Sequence, residues 1–107
     1  MISESEIEWA VEQNACEDAI EWLRESPRSI NETLARYAVW LLEHASARLT
    51  DAQFAFAVSA EPYAALAYEH ASNRLSDEQF ALAFAAEPWT AFSHEHAFSR
   101  FLKGKKL

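Results

Sequence analysis

The sequence predicts an all-α fold, a short α-hairpin repeat array forming a solenoid-like bundle of about six to seven helices with a 26-residue period. Three observations carry this. Related segments recur, EHASARL from Glu43, EHASNRL from Glu69 and EHAFSRF from Glu95, and both 69 − 43 and 95 − 69 are 26. Self-similarity at a fixed period of roughly 20–50 residues marks repeat architectures. The same step links Asp51 to Asp77, Gln53 to Gln79, Phe54 to Phe80, and the Glu61-Pro62 corner to Glu87-Pro88. Composition agrees: one Gly and three Pro in 107 residues leave few tight hairpin turns, and the abundant alanine is the strongest helix former.

Local chemistry places the elements. Ser5-Glu6-Ile7-Glu8 opens an N-terminal helix reaching about Asn14, and Glu17 to Glu25 reads as a short helix carrying Ala19, Ile20, Trp22 and Leu23. Ser26-Pro27 resembles a degenerate Glu-Pro corner. Ser29-Ile30-Asn31-Glu32 is a capping box, a hydroxyl N-cap with an acid or amide three residues on, so a long helix runs from about Asn31 to Ala47. Thr50-Asp51-Ala52-Gln53 and Ser76-Asp77-Glu78-Gln79 are two more boxes, opening short helices at about 51–60 and 77–86. Pro62 and Pro88 suit the first turn of a new helix, where the missing N–H has no partner to lose. The longer helices they open run to about 73 and 101.

The apolar pattern of those longer helices assigns a buried stripe: Tyr63, Leu66, Ala67, His70 and Ala71, then Trp89, Phe92, Ser93, His96 and Ala97, and 26 residues upstream Tyr37, Trp40, Leu41, His44 and Ala45. These offsets of three, four, seven and eight define one face of a helix. The short helices add Phe54, Ala57, Val58, Phe80, Ala83 and Phe84. The expected layout is a single domain over 1–107, with an acidic atypical unit at 1–28, helical repeats at 29–101 and a basic tail at 102–107.

Net charge is −8, and its distribution is uneven. Residues 1–32 hold nine acids against Arg24 and Arg28, whereas Lys103, Lys105 and Lys106 close the chain. Such acidity disfavours phosphate binding and favours a basic partner or plain solubility. A single cysteine, Cys16, permits neither an intramolecular disulfide nor a C-x-x-C motif, so a reducing compartment is expected. The start MISESEIEW lacks the basic and apolar regions of a secretory signal, and no stretch is apolar enough for a membrane helix. A cytoplasmic location follows as the expectation, host cytoplasm for a phage gene.

Residues 9–42 carry Ala15, Cys16, Ala19, Ile20, Trp22, Leu23, Trp40, Leu41 and Leu42 in a pattern that resembles segments of uncharacterised bacterial and phage proteins. There Asn14 stands where glycine is usual, and Tyr37 replaces a tryptophan. The C-terminal half is similar to bacterial short α-hairpin repeats. The resemblance implies α-hairpin architecture and a prokaryotic or phage origin, and it brings no activity.

Each candidate for chemistry has a competing structural reading. His44, His70 and His96 form a column that invites a metal. Stacked helix axes lie about 8–10 Å apart, whereas zinc ligands lie about 2.0–2.1 Å from the ion, so equivalent positions do not converge. His94 and His96 point to different sides of their helix. The expected role is a partly buried imidazole bonded to a tyrosine or carbonyl; no metal and no cofactor is assigned. Arg48, Arg74 and Arg100 follow the histidines by four residues, near helix C-termini, and reach Asp51 and Asp77 across the link. Cys16 has no His near it in sequence and reads as a packed, inert thiol. With no Gly-rich phosphate loop and no carboxylate pair in a cleft-like segment, the chain is expected not to be an enzyme.

The remaining candidates are carboxylates. Glu43, Glu69 and Glu95 share one register and would line a ridge, which Glu17, Asp18 and Glu21 of the acidic pole extend. A solvated face is the bland reading. The functional one is a docking surface, and the expected function is a non-enzymatic interaction module presenting an acidic helical surface to a protein partner with a basic surface. The alternative is a phage-encoded nucleic-acid mimic that inhibits a host defence nuclease, of anti-CRISPR or anti-restriction type. A third class uses the histidine column for metal or catalysis. Direct nucleic-acid binding and membrane association are not expected.

Overall fold

The computed structural model describes residues 1–105; Lys106 and Leu107 of the basic tail lie outside the described residues. The described chain is all-helical, with nine α-helices and one 3-10 turn. Two compact units divide between Arg36 and Tyr37.

The first unit holds α1 (Glu4–Glu12), α2 (Glu17–Glu25) and the opening of α3 (Ile30–His44). The capping box of α1 is built on Ser3 and Glu6, two residues before the expected Ser5, because Ser3 Oγ and the Glu6 carboxylate satisfy each other's backbone N–H. The helix ends in a Schellman motif. Asn14 takes φ 62°, and Ala15 N–H and Asn14 N–H return to Ala10 O and Val11 O at 3.0 Å each. That left-handed position explains an asparagine where glycine is usual, since these residues enter it at least strain. α1 packs on α2, with Ile7, Ala10 and Ala19 buried. Trp22 carries the guanidiniums of Arg28 and Arg36 at 4.2 and 5.1 Å from its ring centroid. Arg24 reaches Glu4 at 2.9 Å.

The second unit begins where α3 is broken: Tyr37, at φ −126° and ψ 34°, leaves the helical region. After α3 come a 3-10 turn (Ser46–Arg48), α4 (Asp51–Ala60), α5 (Pro62–Ala67), α6 (Glu69–Arg74), α7 (Asp77–Ala86), α8 (Pro88–Ser93) and α9 (Glu95–Lys105). Helices α7, α8 and α9 each start 26 residues after α4, α5 and α6 (77 − 51, 88 − 62, 95 − 69). The capping boxes of Thr50 with Gln53 and Ser76 with Gln79 are both formed. α5 packs against α4, α6, α7 and α8, and α6 packs against the 3-10 turn and α9.

The long helices expected from Pro62 and Pro88 are each two helices, which raises the count above six to seven. Tyr68 and His94 take extended backbone conformations, so each closes one helix and opens the next. No Gly or Pro marks either break. Tertiary hydrogen bonds make it tolerable instead: Leu66 O, which a continuous helix would satisfy internally, takes His96 Nε2–H at 2.7 Å. His94 Nδ1–H donates to Thr90 O at 2.9 Å across its own break.

The expected buried stripe is corrected in consequence. Tyr63, His70, Trp89, Phe92, Ser93 and His44 are exposed, and Tyr37, Trp40, Ala67 and His96 are half-buried; Leu41, Ala45, Leu66, Ala71 and Ala97 are buried as expected. The core of this unit takes small side chains, Ala64, Ala65, Ala71, Ser72, Ala91 and Ala97, beside Phe54, Leu66 and Leu75. A helix of six residues is only about 9 Å long. Packed on four neighbours, α5 admits small residues on its inner side and turns its aromatic residue outward.

Candidate functional site

Three of the recurrent Glu and His residues, Glu43, His44 and His70, come together at one place. Glu43, His44, Ser46, Ala47, His70 and Arg74 line an open pocket of about 370 Å³ in the second unit. Glu43 is held from two sides. His44 Nε2 lies 3.5 Å from its carboxylate, and the Tyr68 hydroxyl donates a hydrogen bond to it. Burial raises the Tyr68 hydroxyl above its ordinary acidity range, and the charge and hydrogen bond of Glu43 push the same way. At neutral pH Tyr68 therefore stays protonated, a donor fixed on Glu43 rather than a proton carrier. The His44 ring also tilts against Trp40, centroids 4.8 Å apart.

The three acids of the ridge occupy unlike local settings. Glu43 is the penultimate residue of α3, whereas Glu69 and Glu95 are the first residues of α6 and α9. An exposed carboxylate in a first helical turn is favoured by the helix dipole, which gives Glu69 and Glu95 a local role of their own. The register is shared but the structure is not, because α3 breaks at Tyr37 and runs unbroken past Leu42, the counterpart of Tyr68 and His94. Glu17, Asp18 and Glu21 lie exposed on α2 in the other unit.

The histidine column likewise splits. His96 matches the expected half-buried imidazole bonded to a carbonyl, whereas His44 and His70 border the pocket and are exposed. Among the described residues no three of His, Cys, Asp and Glu are grouped as they would be to hold a metal ion. Cys16 is exposed at the N-cap of α2, not packed, because the cap residue lies outside the helical face that α1 covers.

Sequence reasoning missed the reach of the arginines. Arg74 and Arg100 each meet the acid 23 residues before them, Asp51 and Asp77, rather than one across the following link. Each guanidinium turns back to the preceding helices: Arg74 donates to Ser46 O and to Asp51 Oδ1, the latter at 3.1 Å, and lies 4.5 Å over the Phe54 ring. Arg100 repeats this, at 2.8 Å to Ser72 O, 2.7 Å to Leu75 O and 3.3 Å to Asp77 Oδ1, over Phe80 at 4.7 Å. The co-recurrence of Phe54/Phe80 with Asp51/Asp77 was the available signal. These arginines satisfy carbonyls left open at helix ends, so their role is to fasten helices.

Also missed were apolar side chains exposed in register. Phe56 and Leu82 are exposed on α4 and α7, and Tyr63 and Trp89 on α5 and α8, with Trp89 80% accessible. Both helix pairs pack against each other. No described helix is long and apolar enough to cross a membrane. No protein-family profile matches the chain, and no curated protein or solved structure matches it.

Proposed function

We propose that residues 29–101 form a short α-hairpin repeat array with a 26-residue period, and that the protein is a non-enzymatic interaction module binding a protein partner with a basic surface. The observation that carries this reading is the outward display of Phe56, Tyr63, Leu82 and Trp89 at matching positions of successive units. A tryptophan left in water gives up burial worth roughly 1.5–3 kcal/mol for a large apolar side chain. Tryptophan and tyrosine are also the residues that most often dominate interfaces. Exposed Glu69 and Glu95 supply the acidic complement, and the extended faces of repeat arrays serve as binding surfaces.

The test is affinity capture with the purified protein at rising salt, comparing wild type with Tyr63→Ala/Trp89→Ala and with Glu43→Gln/Glu69→Gln/Glu95→Gln. The expected result is a bound protein whose capture falls more than tenfold in the aromatic double variant and weakens with salt. Capture unchanged in both variants would sink the reading. Nucleic-acid mimicry makes the opposite demand: the triple Gln variant alone should abolish binding, and DNA or RNA should compete for the partner.

A further inference from the structure

Helices α4 and α7 are apolar on their outer sides as well as their inner ones. Phe54, Ala57 and Val58 of α4, with Phe80 and Ala83 of α7, are buried. On the other side Phe56 is 44% and Leu82 66% accessible, each beside exposed alanines. After its first turn α7 has no polar side chain, and α4 has only Ser59. α2, of similar length, instead turns Glu17, Asp18, Glu21 and Arg24 to solvent. A helix that is hydrophobic all round is ordinarily buried all round. The outer sides of α4 and α7 therefore have the composition of a covered surface.

The repeat sets the shape of what covers it. Leu82 holds the same place on α7 that Phe56 holds on α4, 26 residues on, and the two helices pack on each other. Packed helix axes lie about 8–10 Å apart, so the two apolar side chains stand about one such step apart. Same-face residues of a helix recur at i and i+7, about 10.5 Å along its axis. Those of a strand recur at about 6.5 Å or about 13 Å, on either side of that step.

Charge sets the rest. Residues 51–93 hold six acids against one arginine and no lysine, and that arginine, Arg74, is turned in to Ser46 O and Asp51. Asp51 and Asp77, though paired with Arg74 and Arg100, stand fully exposed where the two helices begin, and Glu61 and Glu87 close the other ends. Acids thus border the apolar strip on both sides. The borders are ten residues apart, about 15 Å of helix, against a helix diameter of about 10–12 Å.

We infer that this strip seats an amphipathic helix of the partner, lying across α4 and α7. Its apolar residues seven apart meet Phe56 and Leu82, and lysines or arginines along both its edges meet the bordering acids. The inference rests on the interaction-module reading and specifies what the partner presents.

A dye-labelled leucine/lysine peptide of about 18 residues, its leucines on one helical face, is the probe, followed by fluorescence anisotropy against the full chain. The expected result is binding that weakens at least about tenfold when the same residues are scrambled to break the apolar face, or when glutamate replaces lysine. Phe56→Ser/Leu82→Ser should weaken it by at least about tenfold as well. Should that double variant lose its helical circular dichroism, Ala85→Arg, which sets a like charge at an exposed position of the strip, should do the same and stay folded. Val11→Ser, in the first unit, should leave binding unchanged. Equal binding of the scrambled or glutamate peptide overturns the inference, as does binding indifferent to Ala85→Arg. A dimer of the chain alone in sedimentation, broken by Ala85→Arg, would overturn it too, by making a second copy the occupant. No peptide binding, beside capture of a protein partner that depends on Tyr63 and Trp89, would sink the helix and leave the partner reading standing.

Discussion

In α4–α6 the guanidinium of Arg74 clasps Ser46 O and Asp51 over the ring of Phe54; in α7–α9 that of Arg100 clasps Ser72 O, Leu75 O and Asp77 over Phe80. The fastening is the same, and each arginine side chain is 27% accessible. The outer faces differ. Leu66 and Ser72 are sealed by the helices that follow, whereas Phe92 and Phe98 meet solvent. One inward-looking device thus serves two trios, and the outward-looking residues are free to differ. The arginine, its acid and the phenylalanine beneath it recur unchanged, while residues of the outer face such as Leu66/Phe92 and Ser72/Phe98 change identity.

The sharpest way to break this comparison is to truncate counterparts. Leu66→Ala removes a fully buried side chain and should cost about 3 kcal/mol in urea denaturation. Phe92→Ala, at the matching position, should cost well under half as much, because the ring is already half in water. Equal losses would mean that the two faces are equivalent.

Substituting the staples comes next. Arg100→Lys should cost about 2–3 kcal/mol, because one ammonium cannot span two carbonyls and a carboxylate, and hydrogen bonds to charged donors are the stronger kind. Arg74→Lys should lose a similar amount. Asp77→Asn, by contrast, should leave the melting temperature unchanged, since that carboxylate is fully exposed and screened. A loss confined to Asp77→Asn would show that the ion pair, and not the carbonyl bonds, does the fastening.

The helix starts at Asp51, Pro62, Asp77 and Pro88 were legible in the sequence, because capping boxes and prolines act through two or three adjacent residues. The breaks at Tyr68 and His94 were not. Their orphaned carbonyls are satisfied by His96 and by the side chain of His94, partners that appear only once the chain has folded. The same holds for part of the core: Phe54 and Phe80 are buried as expected, but Ala64, Ala65 and Ala91, outside the expected stripe, are packing residues, and Tyr63, Trp89 and Phe92, expected inside, face outward. Of the candidate site, the recurrence of Glu43 and the histidines was visible, but the gathering of Glu43, His44 and His70 around one pocket is a product of tertiary packing. At the other end of the scale of difficulty, Asn14 announced itself through its position alone. Asn14→Ala should cost about 1–2 kcal/mol, the strain of a side chain without local hydrogen bonding in the left-handed region, and Asn14→Gly should cost nothing.

The two hinges differ in chemistry as well as the two faces, and pH should separate them. Tyr68 spends its hydroxyl on Glu43, whereas His94 bonds within its own turn. Burial first, and the Glu43 carboxylate second, raise the folded-state pKa of Tyr68 above the 10.0 of a free tyrosine. Above that value the unfolded chain releases the Tyr68 proton while the folded chain retains it, so the unfolded state binds fewer protons and stability falls as pH rises. The contribution is complete below about pH 10 and fades as pH climbs through the higher folded value. Urea midpoints followed from pH 8 to 11 should therefore drop for the wild type and drop less for Tyr68→Phe, which has no proton to lose. Glu43→Gln should narrow the gap without closing it, because burial, the larger cause, remains. Identical pH profiles for the wild type and Tyr68→Phe would mean that the hydroxyl titrates as freely in the folded protein as in the unfolded chain, and that Glu43 is a solvated acid like Glu69 and Glu95.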